Sequence, residues 1–232
     1  MLGHNGAILR HNTKWLGEAV TPPVPPTPVP LPARTLRVRY RPGTVPTPDP
    51  NYSSLQDCTI TPVSGMTDVY DVTTNTASWN NLFMSQFDLL EVIEANSTDI
   101  VELSNIFNRC YYLTTVPLFD TSNITEMEYM FRNCQSLVSL PLFNTSNVTS
   151  MHSMCEGCLA LTSIPLLDTS KCVHMNYAFY DCRRVESGAL ALYTQASTQA
   201  TPPVYHNDTF YRCGDLTTTG YAELQQIDPD WK

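Results

Sequence analysis

Apolar residues recur along the chain at a fixed interval of 24 from about residue 79 to about residue 192. Cys110, Cys134, Cys158 and Cys182 mark the interval. Leu89, Leu113, Leu137, Leu161 and Val185 keep the same register, as do Val92, Val116, Leu140 and Ile164, and Phe83, Phe107, Phe131, Cys155 and Phe179. A unit of this length is too short to bury its own apolar face, so successive units must stack and share one core. Within a unit, LTTVPLF (113–119) and LVSLPLF (137–143) alternate apolar and small polar residues. That alternation predicts a short strand pairing in parallel with its copy in the next unit. Pro117, Pro141 and Pro165 end the strand, DTSN or NTSN supplies turn chemistry, and MFRNC or AFYDC predicts a helical turn that brings the chain back. Five coils are expected.

The segments on either side of the repeats are expected to cover its ends. Residues 34–41, RTLRVRYR, alternate Leu36, Val38 and Tyr40 with Arg37, Arg39 and Arg41, the pattern of a half-buried strand with one basic face. With strands at 58–63 and 66–72 it predicts a small capping sheet. At the other end, 188–196 has helical character. Phe210 to Cys213 repeats the spacing of the coils at a longer interval (Cys213 lies 31 residues after Cys182), a short helix is expected near Tyr221–Ile227, and Trp231 is expected to be an anchor. Upstream, TPPVPPTPVPLP favours an extended polyproline spacer. Before it stand LGHNGAIL and LRHNTKWL, a self-similar pair expected to form a small hairpin with Leu9, Trp15 and Leu16 as docking residues. The expected organisation is a docking hairpin (1–20), a Pro-rich linker (21–33), a small β cap (34–78), the repeat array (79–192) and a C-terminal cap (193–232). The fold class expected is a mainly β repeat solenoid, leucine-rich-repeat-like, with parallel strands, short helical turns, a small β cap at its N-terminus and a short helical cap at its C-terminus.

A net charge of −9 makes a phosphate backbone an unfavourable partner, so no nucleic acid is expected. No apolar run reaches the roughly 18 residues of a membrane helix, so no membrane insertion is expected, and the N-terminus lacks the apolar run of a secretory signal. The eight cysteines allow a disulfide framework or buried thiols. Cys158 holds a ladder position, as do Cys155 and Cys172, so core thiols are expected rather than disulfides. Cys155-Glu-Gly-Cys158 with His152, Cys172 and His174 is the one arrangement that invites a zinc or redox reading, and the same ladder positions argue against it. Asn51, Asn96, Asn123, Asn144, Asn147 and Asn207 head Asn-x-Ser/Thr triplets, several of them because the turn repeats. No nucleophile, base and orienting acid appear together and no glycine-rich phosphate loop is present; neither an enzymatic activity nor a cofactor is expected.

The pattern F-x-x-C-x-x-L-x-x-(V/L/I)-P-L-(F/L)-(D/N)-T-S-N-(I/V)-T-x-M-x-x-M-F resembles the BspA-like leucine-rich repeats of surface proteins of gut and oral bacteria and of the phages that infect them. The C-terminal GALALYTQASTQATPP, TFYRCG and TTTGYAELQQIDPDWK are similar to the close of small phage-encoded versions. The resemblance implies a non-enzymatic virion protein, made in the bacterial cytoplasm and carried on a phage tail. It would dock on a tail protein through its N-terminal segment and display its repeats to a host surface protein or glycan, alone or as a homo-oligomer. A bacterial surface adhesin and a purely structural virion component are the alternatives. Candidate ligand-binding residues are those that vary from coil to coil outside the core: Tyr111, Tyr112, Gln135, Arg183 and Arg184 in one column, Tyr129, His152 and Tyr177 in a second.

Overall fold

Strand β1 (Thr35–Tyr40) forms where apolar and basic residues alternate. Leu36, Val38 and Tyr40 are buried, while the arginines on the other face meet acids on both neighbouring strands. Arg37 forms a two-point ion pair with Asp71 (2.7 and 2.9 Å), and its Nη1 lies 3.5 Å from Glu94. Arg39 bonds Glu91 at 2.9 Å. These pairs link β1 to β3 (Val69–Thr74) and β4 (Leu89–Asn96), and β2 (Cys58–Pro62) pairs with β3, giving a four-stranded sheet of order β2-β3-β1-β4, antiparallel throughout. The computed structural model describes residues 30–47 and 54–232. The expected docking hairpin with Leu9, Trp15 and Leu16, residues 21–29 of the Pro-rich linker and the Asn51 triplet lie outside the described residues.

The expectation of a leucine-rich-repeat solenoid with parallel strands is overturned. The named sheet among the described residues is the antiparallel one, and its β4 is drawn from the segment expected to supply the first parallel strand. From residue 97 to 188 there is no named strand, only isolated parallel bridges such as Glu126 to Ser150 and Ser163 to Ser187. The cause is local. Only one or two backbone bonds cross at each step here, a single one at the middle steps, Val138 N–H to Thr114 O and Thr162 N–H to Val138 O, and a proline, with no N–H to give, follows three residues later.

The expected helical turns are also absent. Residues 127–134 form a turn arc in which donors alternate: the N–H groups of Met130, Arg132 and Cys134 bond back to the carbonyls of Met127, Tyr129 and Phe131. Those of Tyr129, Phe131 and Asn133 instead bond forward to His152, Met154 and Glu156 in the following coil, at 2.7 to 2.9 Å. An α-helix would consume both sets internally. The alternation requires left-handed backbone twice per arc, at Asn81 and Ser85, Asn105 and Arg109, Tyr129 and Asn133, Ser153 and Gly157, Tyr177 and Asp181, and Asp208 and Arg212.

The same 24-residue step therefore governs packing. Phe83, Phe107 and Phe131 stack with ring centres 5.8 and 5.6 Å apart. Cys110, Cys134, Cys158 and Cys182 are buried, and each Sγ donates to a carbonyl 27 residues earlier, for example Cys134 to Phe107 O at 3.1 Å. A thiol fits because the site is narrow and apolar but contains one acceptor. Buried Thr121 and Thr145 donate to Asn144 O and Asp168 O of the next coil, both at 2.9 Å. Helix α1 (Ala189–Thr198) occupies the longer step before the final turn arc, where Phe210 stacks on Phe179 at 6.1 Å. Helix α2 (Thr218–Leu224) and a short 3-10 turn ending at buried Trp231 close the chain.

Candidate functional site

The turn arcs leave two side-chain columns along one groove, all at least partly exposed apart from buried Ser153. One runs Tyr129, Ser153, Tyr177 and Asp208; the other runs Arg132, Glu156, Tyr180 and Tyr211. With His152 they line a groove of about 570 Å³. Its rings form a continuous path. Tyr129 meets His152 edge-on at 5.0 Å, His152 meets Tyr177 at 6.0 Å, Tyr177 meets Tyr180 at 5.7 Å, and Tyr180 stacks on Tyr211 at 4.9 Å. Tyr177 is 36% exposed and Tyr211 40%, so ring surface remains open to solvent.

Polar groups sit along the edge of this path. Arg132 forms a two-point pair with Glu156 at 2.9 and 2.8 Å, and its guanidinium lies 5.8 Å from the Tyr129 ring centre. Burial alone would raise the Glu156 carboxyl, but the Arg132 bonds hold it below its ordinary value. Burial pushes up the phenols of Tyr129 and Tyr180, each helped by a neighbour, Glu128 and Tyr211 respectively. Both phenols are therefore protonated, and able to donate, at neutral pH.

The other candidates separate. Gln135, Arg183 and Arg184 line a second groove of about 600 Å³ with Leu159 and Leu216. Arg183 is committed there: it bonds Asp215 at 2.8 and 3.1 Å, and Arg212 bridges Asp215 and Asp181. Arg184 is exposed. Tyr111 stacks on Phe87 at 5.2 Å, and Tyr112 lies under the Arg41 guanidinium at 4.9 Å. The candidates therefore occupy three places, with Tyr129, His152 and Tyr177 brought together in the ring-lined groove. Among the described residues no group of three or more His, Cys, Asp or Glu side chains is arranged to hold a metal ion. Cys155 and Cys158 are buried free thiols, and burial pushes the Cys155 thiol up, away from the reactive thiolate.

Residues 77–193, just over half of the chain, match the model of a family described as "Mycoplasma protein of unknown function, DUF285". The chain belongs to the DUF285 family. The DUF285 segment begins just before Trp79 and ends inside α1, so it contains β4 and the stacked coils but not β1, β2 or β3. No curated protein and no solved structure matches the chain.

Arg132, Glu156, Tyr180, Tyr211 and Asp208 were missing from the candidates read from sequence. Arg132, Glu156 and Tyr180 follow the same 24-residue step as the cysteines, and Tyr180 to Tyr211 and Tyr177 to Asp208 both repeat the 31-residue step from Cys182 to Cys213. Carrying that longer step across the insertion would have found the end of the groove.

Proposed function

We propose that this DUF285-family chain is a non-enzymatic component of a bacteriophage particle, a tail appendage whose stacked coils present a binding surface to the host cell. One observation carries the reading. The backbone of the turn arc repeats from coil to coil with the same donors and acceptors, while the first left-handed position in that frame changes from Asn81 and Asn105 to Tyr129, the buried Ser153, Tyr177 and Asp208. A fixed scaffold with a varied outer face suits recognition better than reaction chemistry. The resemblance of the coils to BspA-like repeats of bacterial surface and phage proteins supports it. So does the order of the sequence, in which a short self-similar N-terminal pair and a proline-rich spacer precede the coils. In this reading the N-terminal pair docks on a tail protein, and the chain is made in the bacterial cytoplasm before assembly into the virion.

The test is immunogold electron microscopy on infected cultures and purified particles, with an antibody raised against residues 79–192. Gold at the tail is the expected result. Gold confined to the envelopes of uninfected cells would overturn the virion reading in favour of a bacterial surface adhesin. Deleting residues 1–20 is expected to abolish incorporation into particles.

A further inference from the structure

The ring-lined groove contains no aliphatic side chain: tyrosines and His152 form it, together with Ser153, Arg132, Glu156 and Asp208. A protein-binding hot spot recruits large apolar anchors, such as the leucines of the second groove. Aromatic faces edged with carboxylates and a guanidinium have different chemistry. They match a ligand with one apolar C–H face and a rim of hydroxyls, which is a pyranose ring.

Charge narrows the ligand further. The Arg132 charge is paired with Glu156 through Nε and Nη2, and Asp208 adds a second carboxylate to the lining. With one guanidinium against two carboxylates, the groove favours no sulfate, phosphate or uronate, and the net charge of −9 opposes any anion.

Backbone conformation supplies an independent argument. The position held by Tyr129 and Tyr177 is left-handed, with φ of +56° and +59°. In the two preceding coils the same position is Asn81 and Asn105, at φ +57° and +60°. Asparagine accepts this conformation readily, whereas a bulky side chain resists it. Tyrosine has thus replaced the residue the backbone favours at the two places where a ring enters the groove.

We propose that this groove binds a neutral oligosaccharide, its sugar rings stacking on the exposed Tyr177 and Tyr211 while Glu156 and Asp208 accept from hydroxyls and the Tyr129 and Tyr180 phenols donate. The inference rests on the host-recognition reading and specifies the ligand class.

The test uses the full chain and immobilised oligomers of glucose, mannose and N-acetylglucosamine, with hyaluronan as the acidic control. Binding to at least one neutral oligomer is expected, with about a tenfold or greater loss for Tyr211→Ala and for Tyr177→Asn. Tyr177→Asn is also expected to melt no lower than the parent, because it restores the favoured residue, so its loss of binding cannot be laid to unfolding. The proposal is overturned if no neutral oligomer binds, if hyaluronan is preferred, or if both variants bind as the parent does. Attachment to host cells that survives periodate treatment but not protease treatment would overturn it in favour of a protein ligand. Particle localisation is read separately: gold on the tail without oligosaccharide binding overturns this inference alone, and oligosaccharide binding by a protein absent from particles overturns the virion reading alone.

Discussion

The hydroxyl of Thr169 donates to Oε1 of Gln199 at 2.8 Å, where the equivalent Thr121 and Thr145 donate to a backbone carbonyl of the next coil. Gln199 Nε2 returns a bond to Thr169 O at 2.9 Å. A side chain on the residue after α1 therefore substitutes for the backbone carbonyl that the next coil supplies to Thr121 and Thr145, at the step where α1 is inserted. Replacing Gln199 by Leu leaves the fully buried Thr169 hydroxyl without that acceptor, and a loss of about 1–3 kcal/mol is expected in urea denaturation. An unchanged midpoint would show that the bond the Thr169 hydroxyl accepts from Gln195 Nε2, at 3.2 Å, suffices and that its own proton needs no acceptor.

The ladder cysteines should be inert. Cys110, Cys134, Cys158 and Cys182 are buried, and burial pushes the Cys110, Cys134 and Cys182 thiols well up. In the native protein at pH 8 an aromatic disulfide reagent should reach Cys58 first, and slowly, because partial burial raises that thiol to about 11. The remaining thiols should appear only in denaturant. Cys134→Ala, which removes an Sγ–H bond to Phe107 O and leaves a small void, is expected to cost about 1–3 kcal/mol. Rapid native labelling of several thiols would contradict the packing described.

Asp120 and Asp168 each accept the backbone N–H of the serine two residues on, at 2.9 Å. These bonds to Ser122 and Ser170 hold both carboxyls below their ordinary value of 3.8. A depressed carboxyl contributes its stability fully above that value and loses it as the pH falls through the lower folded-state value. Asn144 makes the same turn without a charge. The double variant Asp120→Asn, Asp168→Asn should therefore match the parent near pH 7 to within about 1 kcal/mol and lose less stability on acidification. Parallel melting curves against pH, with no difference in slope, would exclude the contribution.

Gly188 precedes α1 with φ of +99°, and a Cβ there would collide with the Ile164 carbonyl oxygen. Gly43 has φ of +79° but nothing within 4 Å of the same atom. Gly43→Ala is expected to cost about 1 kcal/mol for the backbone alone. Gly188→Ala should cost several times more. Equal melting temperatures would mean that α1 moves away from the coil beneath it without penalty.

The periodicity of Cys110, Cys134, Cys158 and Cys182 made the stacking interval legible, because a core position repeats only if its environment does. The alternation of Leu36, Val38 and Tyr40 with arginines likewise marked β1. What the pattern could not convey was the secondary structure carried by that interval. LTTVPLF reads as a strand from side chains alone, yet the proline after Thr114 and its copies leaves room for no more than one or two crossing bonds at each step. MFRNC reads as a helical turn, yet Tyr129 and Asn133 take left-handed backbone and send half of the donors to the next coil. Of the groove, Tyr129, His152 and Tyr177 were visible as varied outer positions. Tyr211 and Asp208 lay beyond the inserted α1, where the interval changes.

The forward-pointing donors of the turn arcs give the stack a direction. Each arc hands its free N–H groups to the coil that follows, so the last arc would end in an unmet row. Phe210 N–H is instead met by the carbonyl of Trp231 at 2.8 Å. The C-terminal turn thus acts as backbone borrowed from outside the repeat: its Trp231 carbonyl meets the central donor of the last arc, the place a following coil fills for every other arc.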